Sequence, residues 1–456
     1  MGTAGVARRL RPGLTAGTAS VHNGVGLPQK EQKVNNNDGG MPKTLLQKLE
    51  ILADAAKYDA SCASSGGARR TARDGGIGST TGAGICHAYT PDGRCVSLLK
   101  ILLTNFCRYD CAYCVSRRSS NVERARFTVA EVVQLTLDLY RRNCIEGLFL
   151  SSGIARNEDD TMGDMVRVAK ALRTEHGFRG YVHLKTIPGA SADLIEQAGR
   201  YADRLSMNVE LPSETSLAAY APEKSATSIK KGLAAARALI ESTTAARRAG
   251  AGTIGRAVPP RFAPAGQSTQ VIVGADHTDD IAILDASASL YASYRLKRVY
   301  YAAFSPTGHP SAQLPQVATP LMREHRLYQA DWLMRFYGFS LHDLAAATPS
   351  GMLSADIDPK LAWALEHRAQ FPVDVNRAGR EMLLRVPGLG VRAVDRIIAA
   401  RRSGALRLGD VARLSGALTR TRPFIVTLDW RPGALLDDAQ LRLKLARKPL
   451  QLTLFG

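Results

Sequence analysis

Seven cysteines are spread unevenly along this 456-residue chain, and three of them share one short run, Thr104-Asn-Phe-Cys107-Arg-Tyr-Asp-Cys111-Ala-Tyr-Cys114. The CxxxCxxC spacing puts Cys107, Cys111 and Cys114 on one loop, where three soft thiolates can take three corners of a cubic 4Fe–4S cluster. Three ligands leave one iron coordinatively open, and that vacancy suits a chelating substrate or cofactor. The alternative for such a run is zinc, which in structural sites wants four closed ligands, often as two separated CxxC pairs. No fourth Cys or His follows closely; His87 and Cys95 are the candidates upstream. An odd, clustered set of cysteines fits metal or redox chemistry in a reducing cytoplasm better than disulfides.

A ligand loop needs rigid elements to carry it. From residue 97 short apolar runs alternate with amphipathic stretches: 97–104, 147–150, 180–187, 204–211, 268–273 and 298–304, separated by helical segments such as 129–142, 162–173 and 191–200. Strands alternating with helices predict a parallel sheet covered by helices, and six strands over about 210 residues suit a partial (β/α)6 barrel better than a closed eight-stranded one. In the third strand Tyr181, His183 and Lys185 share one face. In the fourth, Ser206, Asn208 and Glu210 do, so both should present polar groups to the lumen. Buried ions need partners, and Lys185–Glu210 is one candidate pair. Residues 242–266, rich in Ala, Arg, Gly and Pro, read as a mobile insertion before the fifth strand, and Cys144 reads as core within a helix.

No window is long and apolar enough to span a membrane, and the N-terminus lacks a secretory signal's apolar core, so a cytoplasmic location is expected. Residues 1–42 read as a disordered extension, with the native start nearer Met41 as the alternative. The net charge is +19, which favours a polyanionic partner. Residues 377–449 hold 16 Lys+Arg against 6 Asp+Glu, more than half of that excess.

The CxxxCxxC run, with aromatic Tyr113 before its last cysteine and a strand just ahead of it, resembles the signature of the radical SAM superfamily. The resemblance implies that the open iron binds the amino and carboxylate groups of S-adenosylmethionine. An electron donor reduces the cluster, and the cofactor splits to methionine and a 5′-deoxyadenosyl radical. Ser151-Ser152-Gly153 matches the family's glycine-rich turn after strand two, without the usual Gly-Gly-Glu. Gln270-Val-Ile-Val-Gly274-Ala-Asp276 resembles the fifth-strand motif near the adenine. On this reading Ser151, Ser152, Gly153, Asn208, Glu210 and Gly274 are the cofactor-binding candidates.

Further along, Val373 to Ile398 closely resembles a helix–hairpin–helix module, with Asn376 capping the first helix, Pro387-Gly388-Leu389-Gly390 as the hairpin and Leu389 plugging the space between helices. Backbone N–H groups at Gly388 and Gly390, together with Arg392 and Arg396, would meet phosphates; Arg401 and Arg402 lie nearby. Residues 404–414 look like the start of a degenerate second hairpin. The final Gln451-Leu452-Thr453-Leu454-Phe455 resembles the peptide by which bacterial DNA polymerases and repair proteins dock on the sliding clamp, with Gln451 hydrogen-bonding and Leu452, Leu454 and Phe455 filling an apolar groove.

These features together resemble a bacterial radical SAM family described as acting in DNA modification or repair, over residues 43–456. The organisation expected is a helical and irregular segment (43–96), the partial barrel (97–310), a helical connector (311–372), a small all-α helix–hairpin–helix module (373–420) and a basic tail (421–456). DNA is the implied partner. An RNA-modifying radical SAM enzyme and a non-catalytic iron–sulfur DNA-binding protein recruited by the clamp stay open as alternatives. Cys62, Cys86 and Cys95 make a second iron–sulfur cluster possible, against a reading as structural thiols. A second cluster should bring roughly eight irons per chain instead of roughly four, and iron should survive in a Cys107→Ala, Cys111→Ala, Cys114→Ala variant. Anaerobic iron and sulfide analysis checks this, and complete loss of iron in that variant would remove the second site.

Overall fold

The structure, a computed structural model, describes residues 42–56, 85–89, 95–250, 260–308 and 310–446. Cys62, the tail 1–41 and Gln451–Phe455 lie outside the described residues. Seven strands lie side by side in chain order: β1 (Ile85–Tyr89), β2 (Cys95–Leu102), β3 (Gly147–Ser151), β4 (Tyr181–Lys185), β5 (Arg204–Ser206), β6 (Gln267–Val273) and β7 (Arg298–Ala303). β2 to β7 are parallel, which gives the expected six-stranded curled half-barrel. Its covering helices are α1 (Leu45–Ala56), α2 (Val129–Arg141), α3 (Glu158–Thr174), α4 (Ala192–Tyr201), α5 (Glu214–Tyr220), α6 (Ala226–Gly250) and α7 (Asp280–Tyr294).

Local chemistry accounts for the element boundaries. Thr128 and Glu131 form a reciprocal capping box at the start of α2. Asn157 caps α3, whose first turn holds Glu158, Asp159 and Asp160 against the positive end of the helix dipole. β3 is apolar along Gly147–Leu150 and buried throughout, as a parallel strand covered on both faces must be. The predicted alternation is also seen. Val182, Leu184, Leu205 and Met207 join the core under the helices, while His183, Lys185, Ser206 and Asn208 line the lumen.

The structure corrects several expectations. Residues 85–89, read as irregular, form β1, which pairs antiparallel with β2 and covers that edge of the sheet. The fourth predicted strand stops at Ser206 instead of 211. The Thr269 hydroxyl accepts from Val209 N–H (3.0 Å) and donates to the Met207 carbonyl (2.7 Å), taking over ladder positions and kinking the chain. Helix α6 runs through to Gly250, so the first nine residues of the supposed insertion, 242–250, are helix, in keeping with the high helix propensity of its alanines and arginines. Cys144 lies beyond the end of α2, after Asn143 in the left-handed region (φ 56°), and is exposed rather than core.

Ahead of a final short helix at Leu441–Leu445, the remaining helices are α8 (Leu321–Phe336), α9 (Leu341–Ala346), α10 (Pro359–Glu366), α11 (Arg380–Arg385), α12 (Val391–Ala400), α13 (Leu408–Ser415) and α14 (Leu418–Thr421). The segment carrying the last four is not all-α, because β8 (Val373–Asp374) and β9 (Ile425–Val426) form a short parallel pair. Asn376 caps no helix: Gly379 stands at the start of α11. Its side chain instead accepts from Leu406 N–H (2.7 Å) and donates to Leu406 C=O (3.2 Å), binding the chain ahead of α13.

Lys360, 7 % exposed at the start of α10, donates to the Leu389 carbonyl between α11 and α12 and lies over the Tyr337 ring. Burial pulls its pKa down to about 7. The folded chain therefore binds fewer protons than the unfolded chain between pH 7 and about 10.5, and this group's contribution makes stability rise with pH across that window. Lys360→Met should remove that slope. Denaturant melts of both proteins from pH 7 to 10 check it; a wild-type/variant difference that stays constant with pH would contradict the assignment.

Candidate functional site

The cysteine run occupies the connection from β2 to α2, at the carboxyl ends of the parallel strands, where open α/β sheets place their ligand sites. Its backbone is stitched down on both sides. Leu103 N–H donates to the Ser151 carbonyl (2.8 Å), Phe127 N–H to Leu103 (2.9 Å), and Ala112 N–H to Tyr220 at the end of α5 (2.7 Å). Glu223 accepts from Asp110 N–H (3.0 Å).

The turn after β3 is pressed against this loop. Gly153 N–H donates to the Thr104 carbonyl (2.7 Å) and Arg108 N–H to Ile154 (2.8 Å). A Cβ at Gly153 would stand 2.5 Å from the Phe106 carbonyl oxygen. The glycine is there so that two backbones can touch.

Cys107, Cys111 and Cys114 face one cavity of about 170 Å³ that they share with Ser151, Ser152, Gly153, Asn208 and Glu210. Lys185, Lys224, Gln270 and Tyr113 also line it. Gly274, the remaining sequence candidate, does not line it. That residue turns at φ 80° after β6 and packs on Thr319. Cys86 lies on β1; the side chain of Cys95, like Cys62, is outside the described residues.

The electrostatics centre on a buried ion pair. Glu210 is 7 % exposed and sits in the left-handed region at φ 69°, a conformation that costs a non-glycine residue of order 1–3 kcal/mol and clusters at functional sites. It is held there by Glu210 N–H to Gln270 C=O (3.1 Å) and by Ile272 N–H to its own carbonyl (2.7 Å). Its carboxylate pairs with Lys224 and accepts from the Asn208 amide at 3.3 Å. Burial alone would raise the Glu210 pKa, but Lys224 and then Lys185 outweigh it and hold the group ionised. Lys224 is in turn driven well above the ordinary lysine value, with Glu210 overcoming its burial. Sequence pointed to Lys185 as a partner of Glu210, and its charge does act on that carboxylate; the partner sequence did not point to is Lys224, in the turn after α5, which pairs with Glu210 directly.

Burial pushes the Cys111 thiol up to about 11 and, with the neighbouring sulfurs, Cys114 to about 12. Buried thiols of this kind become thiolates when a metal takes the proton's place. Burial also raises Tyr113, whose hydroxyl finds no partner among the described residues. Among the described residues no three Cys, His, Asp or Glu side chains converge as the ligands of a single ion would. The triad instead rings a cavity, an arrangement that fits a larger body such as a cubane, with Tyr113 Oη left over as an unsatisfied polar atom on its wall. The residues present thus fit an iron–sulfur cluster and a polar ligand chelating its open corner.

Breaking a buried pair strands a charge, at a cost of about 3–5 kcal/mol. Lys224→Met should therefore destabilise the protein by about that amount, and adding Glu210→Gln should recover part of the loss. Chemical denaturation of the single and double variants checks this; equal stability of Lys224→Met and wild type would show the pair to be solvated.

Residues 101–246 match the family model described as the radical SAM superfamily. No curated protein matches the chain. Among solved structures, the FeFe-hydrogenase maturase HydG from Carboxydothermus hydrogenoformans is similar at 14 % identity, covering 51 % of this chain and 50 % of its own, with a TM-score of 0.38. Methylornithine synthase (PylB) is similar at 13 % identity over 62 % of this chain and 67 % of its own, with a TM-score of 0.39. Coproporphyrinogen III oxidase (HemN) from Escherichia coli is similar at 13 % identity over 50 % of each, with a TM-score of 0.32. The chain thus spans about half the length of the maturase and of the oxidase.

Proposed function

We propose, on the match of residues 101–246 to the radical SAM superfamily, that this chain is a radical SAM enzyme whose substrate is DNA, which it modifies or repairs. When bound and reduced, the cluster supplies cleavage of S-adenosylmethionine and a 5′-deoxyadenosyl radical for hydrogen abstraction. The protein's own part is to hold the ligands and keep water out. Cys107, Cys111 and Cys114 would bind three irons. Ser151, Ser152 and the Gly153 backbone lie beside them at the cavity wall, and Asn208 and Glu210 offer acceptors deeper in the lumen.

The observation that carries the DNA assignment is the coupling of this site to a basic helical segment. Residues 377–449 hold 16 Lys+Arg against 6 Asp+Glu. Within them, α11 and α12 are joined by a tight turn with Leu389 buried beneath it. Gly388 has φ 85°, and a Cβ there would meet Thr421 Oγ1 at 2.4 Å. Gly390 starts α12 with no side-chain cap, leaving its first N–H groups for an anion. Arg392 is exposed beside it. Arg396 donates to Leu414 C=O, and Arg401 to the Val375 and Ala378 carbonyls, so those two tie the segment together and the phosphate role falls chiefly to Arg392.

In this reading the clamp docks Gln451–Phe455, an external donor supplies the electron, and Cys62, Cys86 and Cys95 are the ligands of a second cluster. The reconstituted protein should bind duplex DNA with an affinity that falls as salt rises, and Arg392→Ala should reduce the salt slope by about 1. It should also release 5′-deoxyadenosine on reduction with S-adenosylmethionine. Absence of salt-dependent duplex binding, or a preference for transfer RNA over DNA, would overturn the DNA assignment and leave the enzyme class standing.

A further inference from the structure

Ten residues after the last cysteine of the triad, Arg124 reaches back under the loop. Its Nη1 donates to the carbonyls of Asn105 (2.5 Å) and Ser116 (2.9 Å). Its Nη2 donates to the carbonyls of Arg117 (2.7 Å) and Ser120 (2.9 Å). One guanidinium therefore clasps the backbone just before Cys107 and just after Cys114, the two ends of the ligand run. The stretch that carries it is fixed in turn. Asn105 donates from its amide to the Glu123 carbonyl (2.8 Å) and accepts from Ala125 N–H (2.7 Å), while the Thr104 hydroxyl donates to the Ala125 carbonyl (3.0 Å).

Only arginine can satisfy four carbonyls at once from one planar group; lysine has three donors at a single point. The position also carries charge to the sulfurs. Cys107 and Cys114 are the two groups whose negative charge acts on Arg124, whereas Lys224 acts on Cys111 and Cys114 from the lumen side. The geometry points to Arg124 as a positioning residue for the cluster: it closes the ligand loop around the iron and sets a fixed positive charge beside Cys107 and Cys114, which retains the metal and favours the reduced state. A positive charge close by stabilises the form with one electron more, and net charge and hydrogen bonding are among the terms that set iron–sulfur potentials. This inference rests on the triad holding a cluster.

The test uses the full chain, reconstituted anaerobically, as wild type, Arg124→Lys and Arg124→Gln. Iron release to a chelator should be roughly 10- to 100-fold faster in both variants, the range seen when groups orienting metal ligands are lost. The midpoint potential, followed by electron paramagnetic resonance during titration with dithionite, should fall in Arg124→Gln and stay close to wild type in Arg124→Lys, which keeps the charge. A residue serving only the loop's fold would leave the potential unmoved in the glutamine variant. Iron retention and potential equal to wild type in both variants would overturn the inference. A wild-type protein that takes up no iron would instead sink the cluster assignment, and the two failures are told apart by that control.

Discussion

Drawing three sulfur ligands, one of them buried, into the wall of a cavity costs free energy unless positive charge is brought in with them, and much of the surroundings of the triad answers to that cost. Cations approach from two directions. Arg124 comes from the loop itself and acts on Cys107 and Cys114. Lys224 comes from the turn after α5, is ion-paired to Glu210, and acts on Cys111 and Cys114. At Cys111 and Cys114 burial outweighs Lys224 and raises the thiol pKa, which favours the protonated form while no metal is bound. Occupation by iron would convert a site that resists charge into one that holds it.

The lumen follows from the period of the strands. Parallel strands are covered on both faces, so each polar side chain along them must find a partner on the side to which it points. His183 meets Ser206 at 2.9 Å, with burial holding its ring neutral. Thr269 meets the Met207 carbonyl and Val209 N–H. Gln267 donates to the Leu233 and Tyr294 carbonyls behind the sheet. The Thr269 contacts end β5 early, and the kink that results carries the Glu210 backbone into the left-handed region.

Periodicity and spacing made the parallel strands, the inward faces of β4 and the chain after β5, and the triad legible from sequence, because each depends on neighbours within a few residues. What stayed hidden depends on where the chain returns. Pro222-Glu223-Lys224 reads as a polar turn; only the fold of α5 shows that its lysine points inward and its glutamate receives Asp110 N–H, 113 residues away. Asn376 carried a capping residue's signature, but the chain around Leu406 supplied a better pair of partners. Five of the six cofactor candidates border the cavity, while Gly274, placed by resemblance, is taken up by Thr319. Arg124 looked like one more charge in an arginine-rich stretch, since nothing in its neighbourhood states that four carbonyls will converge on it.

The short parallel pair of β8 and β9 has a consequence for how the basic segment is joined on. Val373 pairs with Ile425 and Asp374 with Val426, so the chain departs and comes back through adjacent strands about 5 Å apart. The fifty residues between them form an excursion that leaves and rejoins at one place and is packed on α9 and α10 through Lys360–Leu389, Arg385–Asp343 and Arg420–Asp358. With entry and exit side by side, a change of length inside the excursion leaves the path of the chain on either side of it unaltered, so long as those contacts are kept.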